Sequence, residues 1–323
     1  MTIMKYALKF LIFTLAGLTI ASCKKTSENV FTMYDDVQVQ FHNNSPLSAI
    51  DYKLVNDGDS VYIDYTITSS EEEMYSVVVE RLGVASTTGF ERISTPVDNV
   101  DERHSFSRTV KLKMQRDGKN TFRVYAVNAK GIYMGDGNKK VTIEVAPSHT
   151  VLSNRRIFAP DTVRKDVPSF FSLMEGETFT YDQGKANAAK IDFGIRRRPD
   201  PRTGQANQWI YDYYSISANP NPYDPYDIST WEKRQTKFSK PVINQTNNFL
   251  YSWVSGSVIE EQAKSKNLDV VSTSFNTWQE GLAPGNVVFF QTPEGKYGVF
   301  LVTAVTADLQ GNPFVNVSVK YQN

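Results

Sequence analysis

The sequence predicts a mostly β protein of two domains, a β-sandwich followed by an aromatic-rich antiparallel β domain with little helix. Apolar and polar residues alternate with a period of two through residues 34–147, which is typical of strands with one buried face. Turn-forming groups such as residues 56–59 and 135–138 separate the alternating runs. All four tryptophans lie after residue 148, so the composition changes at that point.

Before the first strand, the chain has the pattern of a secretory signal. Two lysines precede the apolar run of residues 10–20, and the small residues Ala21 and Ser22 follow it. A membrane-spanning helix needs about 20 apolar residues, and this run is shorter. We therefore expect residues 1–22 to be a signal peptide.

Cys23, the only cysteine of the chain, directly follows these small residues. The segment resembles the lipobox of bacterial lipoproteins, in which this cysteine becomes the lipidated first residue. The resemblance implies acyl chains such as palmitate on Cys23, attachment to a membrane through them, and a flexible tether over residues 23–33. An ordinary cleaved signal, with Cys23 as a chance neighbour, is the alternative.

Such an anchor leaves the membrane face open. The expected location is the outer membrane, at the cell surface or at the periplasmic face. Some surface-exported lipoproteins carry an acidic run after the cysteine, whereas this chain has Lys24 and Lys25 there. An acylated Cys23 would leave the mature protein without a thiol for a disulfide or a metal site.

Residues 34–147 are predicted to form the first domain. Val37, Val39 and Phe41 alternate with polar residues, and the same alternation recurs between residues 61 and 67. Further strands are predicted over residues 75–81, 105–113, 120–128 and 139–145. About seven short strands in one domain fit a sandwich of the immunoglobulin or fibronectin type III kind.

Residues 118–131 resemble the penultimate strand and the following turn of such an immunoglobulin-like domain. Phe122, Val124 and Ala126 share one face of this strand, and residues 128–131 form the turn. The resemblance implies a fold and no chemistry, because these sandwiches carry many unrelated functions.

The second domain is predicted over residues 148–323. Three strands are expected to close it as an antiparallel meander, with a Pro-Glu-Gly turn at residues 293–295. The strands of this domain are expected over residues 153–158, 177–181, 190–196, 209–218, 286–292, 297–306 and 314–321, and its helices over residues 170–175 and 259–266.

Three segments of this domain resemble poorly characterised lipoproteins of the Bacteroidota that are encoded beside glycan-uptake systems or as orphan surface proteins. They are Ile191-Asp192-Phe193-Gly194, residues 282–292 and residues 295–300. None of them is a catalytic motif. The resemblance implies a non-enzymatic envelope lipoprotein with a glycan as a candidate ligand.

The sequence gives little support to an enzymatic or nucleic-acid function. Its formal net charge is zero, so no basic field is available to hold nucleic acid. Signatures of serine hydrolases, zinc proteases and nucleotide-binding loops are absent, and the three histidines are scattered. We expect no enzyme activity, no cofactor and no metal.

One enzymatic alternative remains, because a glycosidase needs only two suitably spaced carboxylates. The sequence selects no pair from the acidic residues of the second domain, and exposed carboxylates are common. The candidates are Asp192, Asp212, Asp224, Asp227, Glu232 and Glu280.

The proline-rich segment 219–231 is the strongest candidate for a ligand site. Prolines restrict its backbone, its aromatic rings offer flat apolar surfaces to the C–H faces of sugars, and its carboxylates suit sugar hydroxyl groups. The candidate glycan-binding residues are Tyr223, Asp224, Tyr226, Asp227 and Trp231. The alternative, which the frequency of buried aromatic side chains favours, is a connecting loop whose rings pack on the core.

We therefore expect a membrane-anchored, non-enzymatic lipoprotein whose second domain binds a glycan or another extracellular polymer. A structural or adhesion role with an envelope protein as partner is the alternative. Exposed Tyr and Trp rings along residues 223–231 would favour the glycan. Buried rings, together with an apolar patch or an open sheet edge elsewhere, would favour the protein partner.

Overall fold

The computed structural model describes residues 36–83, 91–202, 208–274 and 276–323. The fold is mostly β with little helix, which confirms the predicted class. Strands account for 42% of the structure and helices for 11%. The predicted signal, Cys23 and the tether lie outside the described residues. Within the part of the chain that is described, no helix is long and apolar enough to cross a membrane.

Residues 38–145 form two sheets. In spatial order, sheet I contains β1 (Gln38–Phe41), β3 (Ser60–Thr68) and β6 (Ser105–Lys113). Sheet II contains β2 (Tyr52–Val55), β9 (Lys140–Val145), β7 (Gly118–Val127), β4 (Ser76–Arg81) and β5 (Arg92–Pro96), and β8 (Tyr133–Gly135) pairs with β7. A short 3₁₀ helix, Val100–Glu102, lies between β5 and β6.

Sheets I and II enclose one hydrophobic core, as the sheets of a β-sandwich do. Val61, Ile63 and Ile67 of β3 and Val124 of β7 are fully buried in this core, in agreement with the predicted alternation. One feature differs from the expected antiparallel pairing, because β2 and β9 run parallel. A period of two indicates a buried face and carries no information about the direction of the neighbouring strand.

Residues 149–322 form two further sheets. Sheet III contains, in spatial order, β10 (His149–Phe158), β18 (Pro313–Gln322), β17 (Tyr297–Ala307), β16 (Val287–Gln291) and β15 (Lys237–Phe238). Sheet IV contains β12 (Thr178–Phe179), β11 (Phe170–Phe171), β13 (Phe193–Pro199) and β14 (Trp209–Ser215). β16, β17 and β18 pair consecutively, which confirms the predicted C-terminal meander.

The helix predicted over residues 170–175 is wrong, because Phe170 and Phe171 form the strand β11. Both rings are fully buried, and each belongs to a different hydrophobic cluster. A strand directs successive side chains to opposite faces, so it places one ring in each cluster, which a helical turn would not do. The apolar pair alone did not distinguish the two structures.

Two α-helices lie in the described part of the second domain, α1 (Tyr181–Asn187) and α2 (Gly256–Lys264). α2 lies close to the helix predicted at residues 259–266, whereas α1 was not predicted. Thr180 and Gln183 form a capping box at the start of α1. Its seven residues are too few to show a helical period, so the capping box is the one sign of this helix in the sequence.

Carboxylates in two turns of the sandwich contact the start of α2. Asp57 accepts hydrogen bonds from the backbone N–H (2.5 Å) and the hydroxyl (2.7 Å) of Ser257. Asp117 accepts from the backbone N–H of Ser148 (2.7 Å), which begins the second domain, and from its hydroxyl (2.6 Å). The Ser148 hydroxyl in turn accepts the N–H of Gly256 at 2.7 Å.

These bonds satisfy backbone donors that the first turn of an α-helix cannot pair internally. The backbone N–H of Asp117 also donates to the carbonyl of Val254 at 3.0 Å, and Arg116 donates to the carbonyl of Tyr251 at 2.8 Å. Polar contacts made by the two sandwich turns therefore join sheets I and II to the region of residues 148–323.

Candidate ligand-binding site

The aromatic rings of the predicted loop lie in the core. Tyr226 is fully buried and Trp231 is only 5% exposed. Their ring centroids lie 5.9 and 4.7 Å from that of Phe170, within one aromatic cluster that also contains Tyr214. Faces that would stack on a sugar are thus already covered by other rings.

Hydrogen bonds fix this loop in its buried position. The Tyr226 hydroxyl donates to the carbonyl of Asp161 at 2.9 Å. The side-chain amide of Asn221 donates to the carbonyl of Tyr226 at 2.6 Å. A Cβ at Gly184 of α1 would collide with the Trp231 ring, so the close packing of helix and loop depends on glycine at this position.

The other three predicted residues lie nearer the surface. Tyr223 is half-buried and packs edge-on against Tyr226, with 5.2 Å between ring centroids. Asp224 and Asp227 are exposed, and hydrogen bonds from Ser229 lower the pKa of the Asp227 carboxyl. The structure thus brings the three rings together as core packing and leaves the two carboxylates in solvent.

The buried carboxylates of the second domain are already bound by the chain. Asp192 accepts from the backbone N–H of Leu173 (2.7 Å), Arg234 Nε (2.7 Å) and the Thr236 hydroxyl (2.5 Å). Burial raises its pKa despite these bonds, but the side chain is fully buried and inaccessible to a substrate. Asp212 is equally buried and pairs with Arg198 Nε at 2.7 Å.

The histidines do not form a site either. His42 bonds to the Thr66 hydroxyl (2.8 Å), His104 to the carbonyl of Ser69 (2.8 Å) and His149 to Asp117 (2.7 Å). The ranges covered by the structure contain no group of three or more His, Cys, Asp or Glu side chains that could hold a metal ion.

A groove that the sequence did not reveal lies on the outer face of sheet II. It spans β5, β4, β7 and β8, and its volume is about 610 Å³. Its lining combines two arginines, two tyrosines, two serines and small apolar groups, and we name it the Arg–Tyr groove. The lining residues are Ser76, Val78, Arg92, Ser94, Arg123, Tyr125, Val127, Gly131 and Tyr133.

A buried carboxylate holds the two arginines. Glu80 of β4 pairs in register with Arg92 of β5 on one side and with Arg123 of β7 on the other. Its oxygens accept from Arg92 Nε at 2.6 Å and from Arg123 Nε at 2.8 Å. Burial of Glu80, which is 2% exposed, opposes ionisation, but the hydrogen bonds from both arginines lower its pKa below the ordinary value. The carboxylate therefore stays charged and fixes both guanidinium groups.

Two tyrosine rings lie beside this ion triad. The ring centroids of Tyr125 and Tyr133 are 5.2 Å apart, and the Arg123 guanidinium lies 5.0 and 5.7 Å from them. Tyr125 is buried, whereas 38% of Tyr133 is exposed. Burial raises the pKa of both phenols, so both remain neutral near pH 7. Tyr133 is thus the ring that a ligand can reach.

The turn between β7 and β8 positions Tyr133. The side-chain carbonyl of Asn128 accepts the backbone N–H groups of Lys130 (3.0 Å) and Ile132 (2.9 Å). Gly131 has φ +75°, a left-handed conformation that favours glycine. The turn predicted at residues 128–131 therefore returns the chain so that Tyr133 lies against Tyr125.

A signal for this groove was present in the sequence. Arg123 and Tyr125 alternate with the apolar residues of β7, so they share the outer face of that strand. The apolar face of the strand predicts core packing, and the alternation alone assigns no role to the opposite face. Glu80 and Arg92 reach the same face only through strand pairing, which a single sequence does not disclose.

Comparisons with known proteins do not show a family for the chain. No family model matches the sequence, and no curated protein matches it significantly. Among solved structures, an alkylpurine DNA glycosylase from Pseudomonas fluorescens bound to DNA is 13% identical, covers 34% of this chain and 30% of its own, and has a TM-score of 0.21. This chain therefore spans less than a third of the length of that enzyme.

Two further structures are equally distant. A CARDB domain from Pyrococcus furiosus in complex with di-metal ions is 9% identical, with 34% of this chain and 88% of that domain covered and a TM-score of 0.22. A cycloalternan-degrading enzyme from Trueperella pyogenes is 8% identical, with 83% of this chain and 31% of the enzyme covered and a TM-score of 0.19. At such scores the likenesses carry no argument about fold or function.

Proposed function

We propose that the chain is an exported lipoprotein of the cell envelope, held in the outer membrane by acyl chains on Cys23. The lysine-flanked apolar run before residue 21 and the small residues ahead of the cysteine support this proposal. Replacing Cys23 by Ser removes the acylated sulfur, so the variant should move from the membrane fraction to the soluble fraction. Mass spectrometry of the mature N-terminus tests the same point, and an unmodified Cys23 would contradict it.

We further propose that the anchored protein binds a glycan without cleaving it, and that the Arg–Tyr groove is the binding surface. The observation that carries this proposal is the exposed Tyr133 ring beside two fixed guanidinium groups and the serine hydroxyls. An aromatic ring suits the C–H face of a sugar, and guanidinium and hydroxyl groups suit its oxygen atoms. The groove belongs to the first domain, whereas the sequence had indicated the second.

A non-catalytic role is proposed because the buried candidate carboxylates, and the carboxylate beside the groove, are already paired with arginines, while the remaining candidates Asp224, Asp227, Glu232 and Glu280 are exposed. Glycoside cleavage needs two carboxyl groups that face each other across a bound sugar. Asp192 and Asp212 are buried and paired with arginines, and Glu80, the carboxylate next to the groove, is covered by Arg92 and Arg123.

Retardation of the detergent-solubilised full chain in gels that contain single polysaccharides tests the glycan proposal. We expect at least one polysaccharide of a broad panel to slow the protein without a release of reducing ends. Retardation accompanied by reducing ends would contradict the non-catalytic role, and no retardation across the panel would contradict glycan binding.

A protein partner is the second candidate, and two observations favour it, the burial of Tyr226 and Trp231 and an open sheet edge with exposed apolar side chains. Ile50, Tyr52 and Leu54 are exposed apolar side chains on or beside β2, the edge strand of sheet II. An edge strand with exposed apolar side chains can pair with another chain. A photocrosslinker at position 54 in native envelopes should then give one discrete adduct, which Tyr52→Ser should abolish.

A further inference from the structure

We propose that the Arg–Tyr groove selects glycans that carry carboxylate groups, such as polymers of uronic acids, over neutral glycans. This inference rests on the proposed glycan binding and specifies its ligand class. It follows from the charges that line the groove, from the way in which they are held, and from the ring beside them.

The surface that a ligand meets is cationic. Two guanidinium groups line the groove, and none of its lining residues in the described ranges carries a carboxylate. Lys140 of β9 pairs in register with Arg123, so a row of Arg92, Glu80, Arg123 and Lys140 crosses four neighbouring strands on one face. Three members of this row are basic, and the only acidic one is covered.

Asp136 modifies this balance beside Arg123. Its carboxylate lies 3.8 Å from Arg123 Nη1 and is itself mostly buried. It partly offsets the charge of Arg123. The side chain of Arg92, at the end of the row away from Lys140, is 49% exposed. We therefore assign Arg92 as the residue that meets the carboxylate of the ligand.

The guanidinium group of Arg92 is oriented before a ligand arrives. Glu80 accepts from its Nε at 2.6 Å, so the side chain is ordered in the unbound protein. Ordering a long side chain during binding lowers affinity, and here Glu80 has already imposed that order. A planar guanidinium group is also the side chain best suited to a carboxylate, because its parallel N–H donors match the two oxygens.

The neighbouring groups suit the sugar that would carry the carboxylate. Tyr133 offers an exposed ring, and the serines of β4 and β5 add hydroxyl groups to the same groove. A uronic acid unit presents a C–H face, hydroxyl groups and a carboxylate, so each of its parts has a counterpart in the groove.

The test measures the affinity of the detergent-solubilised full chain for polygalacturonate, alginate and hyaluronan, and for their carboxyl-reduced neutral forms. We expect at least one acidic polymer to bind at least tenfold more tightly than its reduced form, with affinity that falls as salt rises. Arg92→Gln should remove most of this difference. Arg197→Gln, which removes an exposed arginine stacked on Trp209 in the other domain, should preserve it.

The outcomes separate this inference from the proposed function. Equal affinity for acidic and reduced polymers, or an equal loss in both variants, would overturn the acidic preference and leave glycan binding intact. Binding of neutral polysaccharides alone would have the same meaning. No binding to any acidic or neutral polysaccharide would overturn the proposed function, and this inference with it.

Discussion

At the scale of single residues, Lys320 is a buried lysine of β18. It is 6% exposed, and its ammonium donates to the backbone carbonyls of Phe249 (2.5 Å) and Trp253 (2.9 Å). Burial, with a smaller effect from nearby Arg116, lowers its pKa from 10.5 to about 8. Lys320 therefore links the π-helical turn Asn248–Ser252 to β18, and the burial that this contact requires lowers the pKa of its ammonium group.

The lowered pKa of Lys320 predicts a rise in stability with pH. Between about pH 8 and 10 the unfolded chain binds a proton that the folded chain has released, so the free energy of unfolding increases with pH. The limiting effect is about 1.4 kcal/mol for each unit of pKa difference. Urea unfolding at a series of pH values should show the rise in the native chain and not in Lys320→Met. A flat profile in the native chain would contradict this assignment.

Above about pH 10 buried tyrosines should reverse the trend. Burial raises the pKa of Tyr65 to about 12, and it also raises the pKa values of Tyr213 and Tyr214. The folded chain then keeps protons that unfolded tyrosines lose, so the free energy of unfolding falls with pH. Absorbance at the phenolate band should increase in two steps, first from the exposed tyrosines of the folded chain and then, together with unfolding, from the buried ones. Ionisation of every tyrosine before unfolding would be inconsistent with this burial.

At the scale of elements, the contact between α1 and the loop of residues 219–231 decides whether the loop is core or surface. Gly184 of α1 lies directly against the ring of Trp231. In an exposed helix, Gly→Ala stabilises by about 0.5–1 kcal/mol. Here the Trp231 ring leaves no room for a Cβ. The helix propensity of alanine would raise the free energy of unfolding, whereas the steric overlap would lower it.

Gly184→Ala should therefore destabilise the protein, by about 1–3 kcal/mol. Lys185→Ala on the same helix is the matched control, because Lys185 is exposed and adds little packing. Chemical unfolding followed by tryptophan fluorescence measures both variants. A stabilising Gly184→Ala would mean that the Trp231 ring does not lie against the helix.

The contacts between the sandwich turns and the start of α2 lead to a second prediction at this scale. Asp57→Ala removes the acceptor for the second N–H of the helix, at a cost of about 1–2 kcal/mol for a lost cap. Since that cap belongs to the other domain, calorimetry should show one transition in the native chain and two in the variant. Asp59→Ala is the control, because Asp59 accepts within its own turn, from Asn56 at 2.8 Å. Two transitions in the native chain would show that the domains unfold independently.

The elements also show what a single sequence can reveal. The alternation in β3 and β7 predicted their core faces, because a period of two depends only on local residues. The buried position of Tyr226 and Trp231 depends on Phe170, which lies 56 and 61 residues earlier in the chain, and local composition gives no information about such contacts. The Arg–Tyr groove depends on the pairing of β5, β4 and β7. The sequence therefore predicts that its residues lie on an outer strand face, and it does not predict that they form one site.

At the scale of the whole molecule, the proposed anchor and the proposed binding surface belong to the same end of the chain. The tether of residues 23–33 would lead into the sandwich that carries the Arg–Tyr groove, and the contacts at the start of α2 connect this sandwich to the region of residues 148–323. The rings of Tyr226 and Trp231, which the sequence indicates as candidates for sugar stacking, are buried and inaccessible to a ligand. The groove is therefore the surface on which the proposed function depends.

The most direct test compares Tyr133→Ala with Tyr223→Ala, using a polysaccharide that retards the native chain. Tyr133 is the reachable ring of the Arg–Tyr groove, and Tyr223 is the most accessible ring of the loop of residues 219–231. We predict that Tyr133→Ala weakens binding at least tenfold, or about 1.4 kcal/mol, while Tyr223→Ala binds as the native chain does. Unchanged binding by Tyr133→Ala, with a loss in Tyr223→Ala, would contradict the account and return the ligand to the loop.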